Sequence, residues 1–87
     1  MAHHKSAQKA LRQNRKRKIR NRQAKSEART MVKRVLTAVG EGDRERALGA
    51  LREAEGVLAR VAQRGILPKR RVARKTSRLA KKVSALG

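Results

Sequence analysis

The sequence predicts an all-α fold, an antiparallel three-helix bundle with a long first helix projecting beyond the bundle. Two observations carry that prediction. Apolar residues recur at three- and four-residue steps in three separate segments, and no segment shows the two-residue alternation of a strand. The turn-forming residues fall between those segments, at Gly40-Glu41-Gly42-Asp43 and Gly65-Ile66-Leu67-Pro68, which divides the 87 residues into helices over about 6–39, 44–64 and 68–85. Turns this short make neighbouring helices antiparallel, so the three apolar stripes meet.

In helix one the stripe consists of Ala28, Met31, Val32, Val35, Leu36 and Val39, all in its second half. Extended toward the N-terminus, the same face carries Ala24, Asn21, Arg17, Asn14, Gln13 and Ala10, while Leu11 and Ile19 fall off it. The first half therefore has no apolar face, and like charges at four-residue spacing repel by a few tenths of a kcal/mol, roughly, per pair. It is expected to order only against a partner. Fully formed from Ser6 to Val39, the helix would be a rod about 50 Å long at ~1.5 Å rise per residue.

The first turn follows from its chemistry. A glycine takes the left-handed position after a helix end, Asp43 accepts the unpaired N–H groups that start helix two, and Asp43 and Glu45 favour its positive end. Helix two carries Ala47, Leu48, Leu51, Ala54, Leu58, Val61 and Ala62 on one stripe. Gly65 closes it, and Pro68 suits the first position of helix three, where no N–H partner is needed. Helix three is the most regular, with Val72, Thr76, Leu79, Val83 and Leu86 at alternating steps of four and three. The resulting core is thin, since only sixteen Val, Ile, Leu or Met side chains occur in residues 27–87 and the chain has no aromatic residue.

Charge is distributed as unevenly as hydrophobicity. Residues 1–26 hold ten Lys or Arg and no acid, residues 56–87 hold another ten and no acid, and the middle holds six of each. The formal charge of +20 thus sits in the two flanks. A small domain in that state repels itself unless a polyanion neutralises it, and nucleic acid is the leading partner. On helix three the cations are sorted: Arg70, Arg71, Arg74, Lys75, Arg78, Lys81 and Lys82 all turn away from the Val72, Leu79, Val83 stripe. Arginine forks match phosphate oxygens, and each neutralised phosphate releases counterions.

The same composition excludes other classes. Without cysteine there is no disulfide framework, thiolate metal site or cysteine nucleophile. No apolar run approaches the ~20 residues of a membrane span, and no secretory signal opens the chain, so an uncleaved intracellular protein is expected. An Arg-rich, acid-poor start also resembles an organelle transit peptide, but the same residues serve better as a binding element. His3-His4 lacks a third ligand and is incidental, so no metal is expected. Glu53 and Glu55 face different directions on a helix, which makes a catalytic pair and an enzyme improbable. No cofactor, small-molecule substrate, membrane or homo-oligomer is implied. A basic amphipathic membrane peptide would want Trp or Phe anchors, which are missing.

The absence of aromatics also removes base stacking as a recognition device and disfavours single-strand readers. Basic helices with scattered Asn, Gln and Ser donors suit phosphate and 2′-hydroxyl contacts on duplex-rich RNA, with Arg12-Gln13-Asn14, Arg20-Asn21 and Ser77-Arg78 as the foremost candidates. Asn14 and Arg22 have the spacing of a basic-zipper DNA reader. A zipper fails further on, because the heptad from Met31 meets Ala38, Glu45 and Arg52, and Gly40 interrupts the helix. A general nucleoid-type DNA-binding protein is the alternative reading.

Lys5-Ser6-Ala7, Arg12-Gln13-Asn14, Arg20-Asn21, Lys25-Ser26, Gly42-Asp43, Gly65-Ile66, Lys69, Ala73-Arg74-Lys75 and Ser77-Arg78-Leu79 together resemble the bacterial small-subunit ribosomal protein twenty family, nearly end to end and in register. The resemblance implies a single non-catalytic three-helix domain over residues 1–87, cytoplasmic and within the ribosome. It implies direct binding to 16S ribosomal RNA early in small-subunit assembly, other small-subunit components as neighbours, and a long first helix lying along separate RNA regions. Charge patterning and the resemblance together give an expected RNA-binding set of Lys5, Ser6, Lys9, Arg12, Gln13, Asn14, Arg15, Lys16, Arg17, Lys18, Arg20, Asn21, Arg22 and Lys25 in the first helix. Lys69, Arg70, Arg71, Arg74, Lys75, Ser77, Arg78, Lys81 and Lys82 complete it. The chain departs from the family pattern after Leu67, where Pro68-Lys69-Arg70-Arg71-Val72 replaces a His-Lys-Asn start, and at Thr76, where lysine is frequent.

Overall fold

The structure, a computed structural model, describes residues 2–86, with side chains from Lys5 to Leu86; His3 and His4 lie outside the described side chains. Three helices follow one another, α1 (Ala2–Gly40), α2 (Arg44–Gln63) and α3 (Lys69–Ser84). The molecule measures 65 × 21 × 14 Å and has a radius of gyration of 17.6 Å. A compact domain of this length would have a radius near ~12 Å. The difference lies in α1, an unbroken helix of 39 residues whose N-terminal half runs beyond the bundle.

Both turns are built alike. In the first, Gly42 at φ 71° donates its N–H to Val39 O and Asp43 donates to Ala38 O, which satisfies two carbonyls left open by the end of α1. In the second, Gly65 at φ 72° donates to Ala62 O and Ile66 donates to Val61 O. Asp43 then caps α2, its Oδ1 accepting the Arg46 N–H at 3.1 Å. Pro68 stands one position earlier than the sequence suggests. Its ψ of 137° keeps it extended, outside the helix, while its carbonyl accepts the Val72 N–H. Helix α3 therefore begins at Lys69.

One apolar core joins the helices: Ala28, Val32, Val35 and Ala38 from α1, Ala47, Leu51, Ala54, Val57, Leu58 and Val61 from α2, and Val72, Leu79 and Val83 from α3. Small side chains dominate the α1–α2 seam, and alanine lets two helix backbones approach closely. Among the described residues, no buried core residue precedes Ala28. The stripes are rotated slightly from those in the sequence. Leu36 and Leu48 each sit one position, about 100°, past the buried Val35 and Ala47 and remain exposed. Val57 takes the opposite flank and is buried beside Leu58.

Candidate nucleic-acid interface

The projecting half of α1 has no inward side. Every residue from Lys5 to Gln23 is exposed, including Leu11 at 58% and Ile19 at 57% of their full accessible surface. The ten cations from Lys5 to Lys25 are therefore displayed around the rod, with Gln13, Asn14 and Asn21 among them. Gln13, Lys16, Arg17 and Arg20 line one shallow groove on it.

The second cationic surface lies on α3. Burying Val72, Leu79 and Val83 turns Lys69, Arg70, Arg71, Arg74, Lys75, Ser77, Arg78, Lys81 and Lys82 outward, and all of them are exposed. Lys81 and Lys82 sit favourably in the last turn, whereas Lys69, Arg70 and Arg71 crowd the positive N-terminal end with no acid beside them. That arrangement costs about 0.3–1 kcal/mol per cation at low salt unless an anion offsets it.

Folding adds cations that sequence reasoning missed. Helix α3 packs mainly on α2 and touches α1 least. The resulting cleft has Val32, Leu36, Leu58, Leu67 and Val72 in its floor. Lys25, Arg29 and Lys33 of α1 face Arg71 and Lys75 of α3 across it, and no carboxylate lines it. Arg29 and Lys33 escape a reading of the sequence because they lie in the charge-balanced middle of the chain. Their four-residue spacing from Lys25 is the available signal. Arg64 also joins Arg17, Arg20 and Asn21 around an open cleft, a juxtaposition created by the helix hairpin.

No acidic residue lies in the projecting half of α1 or in α3. Glu41, Asp43 and Glu45 gather at the α1–α2 turn, and the Glu41–Arg46 pair is the one ion pair among the described residues, 3.0 Å between Arg46 Nη1 and Glu41 Oε2. Among the described residues no charged or polar residue is buried, and no group of three or more His, Cys, Asp or Glu able to hold a metal occurs. No helix among them is long and apolar enough to cross a membrane.

A slender helical scaffold that displays cations on a rod and on one helix face defines an extended, strongly basic all-α protein. Comparison with known proteins shows its family. It belongs to the ribosomal protein S20 family, whose model matches residues 2–84. It is 47% identical over 87 residues to the small ribosomal subunit protein bS20 of Trichlorobacter lovleyi, covering 100% of both chains. It is 44% identical over 86 residues to the bS20 protein of Orientia tsutsugamushi, covering 99% of this chain and 96% of that one. With the bS20 protein of Methylocella silvestris it shares 46% identity over 87 residues, covering 100% and 99%. The family is one of ribosomal proteins, and the chain is not an enzyme.

Proposed function

We propose that this chain is a structural protein of the small ribosomal subunit that binds 16S ribosomal RNA directly and supports subunit assembly. Its full-length relatives carry the name small ribosomal subunit protein bS20. The observation that carries direct RNA binding is the display of two acid-free cationic surfaces, one around the projecting half of α1 and one on the outer face of α3. The RNA-contacting residues are those named from the sequence in α1 and α3, acting as one domain over residues 1–87. Arginine and lysine supply affinity through phosphates, and the Asn, Gln and Ser side chains among them supply donors and acceptors for 2′-hydroxyl groups. The place of action is the cytoplasmic ribosome, with other small-subunit components as neighbours.

The test is binding of the purified chain to 16S ribosomal RNA across a salt series, with duplex DNA and an unrelated structured RNA as competitors. Selective binding that survives high salt is the expected result. Equal, salt-sensitive binding to all three would leave a general polyanion binder and favour the nucleoid-type alternative.

A further inference from the structure

The C-terminal end of α2 comes level with residues 17–21 of α1, so that Arg64, Gly65 and Ile66 line one open cleft with Arg17, Arg20 and Asn21. The hairpin sets this register. Arg20 and Arg64 each lie 22 residues from Gly42, and two helices of equal rise that fold back there bring those positions level. Gly65 then reverses the chain and seats Ile66 against the core, which leaves Arg64 exposed at the rim.

Three guanidinium groups in one place repel one another, and no carboxylate lines the cleft. Such a cluster gains stability from an anion, and the Arg fork matches phosphate oxygens two at a time. Asn21 adds a neutral donor without adding repulsion. Carbonyls at the end of α2 would oppose an anion, but those of Arg60, Val61 and Ala62 already accept the N–H groups of Arg64, Ile66 and Gly65.

We infer that Arg17, Arg20 and Arg64 form a composite site for a backbone phosphate of structured RNA, assembled where the α1 arm and the α2–α3 turn line one cleft. A phosphate held there bridges the arm and the bundle, so RNA binding fixes their relative orientation. Arg64 lies in the acid-free flank of residues 56–87 but outside the cationic face of α3, and the tertiary fold gives it this role. The inference rests on the proposed binding of 16S ribosomal RNA.

The experiment titrates the full chain with 16S ribosomal RNA as wild type, Arg64→Gln, Arg17→Gln and the double variant. Arg60→Gln, one turn earlier on α2, controls for removal of an exposed charge. Arg64→Gln and Arg17→Gln should each weaken binding about tenfold, and the double variant by less than the product of the two, while Arg60→Gln stays within about twofold. Arg64→Lys keeps the charge without the fork and should recover only part of the affinity. A weakening by Arg64→Gln no larger than by Arg60→Gln, or a double-variant effect equal to the product, overturns the composite site. A wild-type chain with no preference for 16S ribosomal RNA over duplex DNA overturns the RNA reading and this inference together.

Discussion

Gly42 and Gly65 occupy the same structural position in two successive turns, each the left-handed residue after a helix end, at φ 71° and 72°. Each donates its N–H three residues back, and the following residue donates five back, from Asp43 to Ala38 and from Ile66 to Val61. A side chain at either glycine has room, since an added Cβ meets nothing within 4 Å. The cost of substitution is conformational. Gly42→Ala and Gly65→Ala should each destabilise the fold by about 1–2 kcal/mol, and the two effects should add because the turns share no partner. Urea unfolding of the single and double variants measures both quantities, and changes below a few tenths would contradict the conformational account.

Asp43 holds the start of α2 through its bond to the Arg46 N–H, while Arg46 reaches back to Glu41 with both side chains more than half exposed. The two interactions differ in worth. Asp43→Ala should cost about 1 kcal/mol through removal of the cap, whereas Glu41→Gln should cost less than about 0.5 kcal/mol because water and salt screen the pair. Thermal unfolding at low and high salt separates them, with the Glu41 effect vanishing as salt rises and most of the Asp43 effect, which rests on its hydrogen bond, persisting.

Glycines elsewhere behave differently. Gly49 and Gly56 sit inside α2 at helical backbone angles, and a Cβ at either meets nothing within 4 Å. Gly49→Ala and Gly56→Ala should each stabilise the chain by up to about 1 kcal/mol, which raises the melting temperature by roughly 4–8 °C in a domain of this size. Measured alongside RNA affinity, the pair also reports on this face of α2. Affinity should stay unchanged, and a drop would mean that RNA backbone approaches the glycines closely.

The arm of α1 lacks tertiary burial before Ala24, so its hydrogen bonds are protected only by the helix itself. Amides of residues 6–25 should exchange rapidly in the free protein and slow strongly when RNA is added. Full protection of that segment without RNA would sink the idea that the partner orders it.

Replacing Arg15, Arg17, Arg20 and Arg22 together with Gln should weaken RNA binding and flatten the dependence of log K on log salt by roughly 0.7–0.9 for each phosphate that is no longer neutralised. An unchanged slope would show that the phosphates are neutralised elsewhere, with α3 as the remaining surface.

Local chemistry made most of the fold legible. The heptad-like run from Ala47 to Val61, the Asp43 cap and the position of Gly65 all state their roles within a few residues, and the structure places them accordingly. Rotation of each stripe was harder to judge. The sequence stripe includes Leu48 and leaves out Val57, and only the direction from which the other helices pack decides that Val57 is buried and Leu48 exposed. Pro68 suits two adjacent positions at a helix start, and its extended ψ settles which one it holds. The cationic flanks stood out because no acid interrupts them, whereas the cations that Arg29, Lys33 and Arg64 meet on another helix are set by the tertiary fold.

The continuity of α1 has a mechanical consequence. Because one helix forms both the seam of the core and the free arm, a small change of angle near Glu27 is magnified along a lever about 38 Å long, from Glu27 to Ala2 at ~1.5 Å per residue. A bend of roughly 10° there would sweep the tip through about 7 Å, more than a full helical turn of rise. The small-residue seam between α1 and α2 thus acts as the bearing of a gauge, and its close packing sets how accurately the tip is aimed.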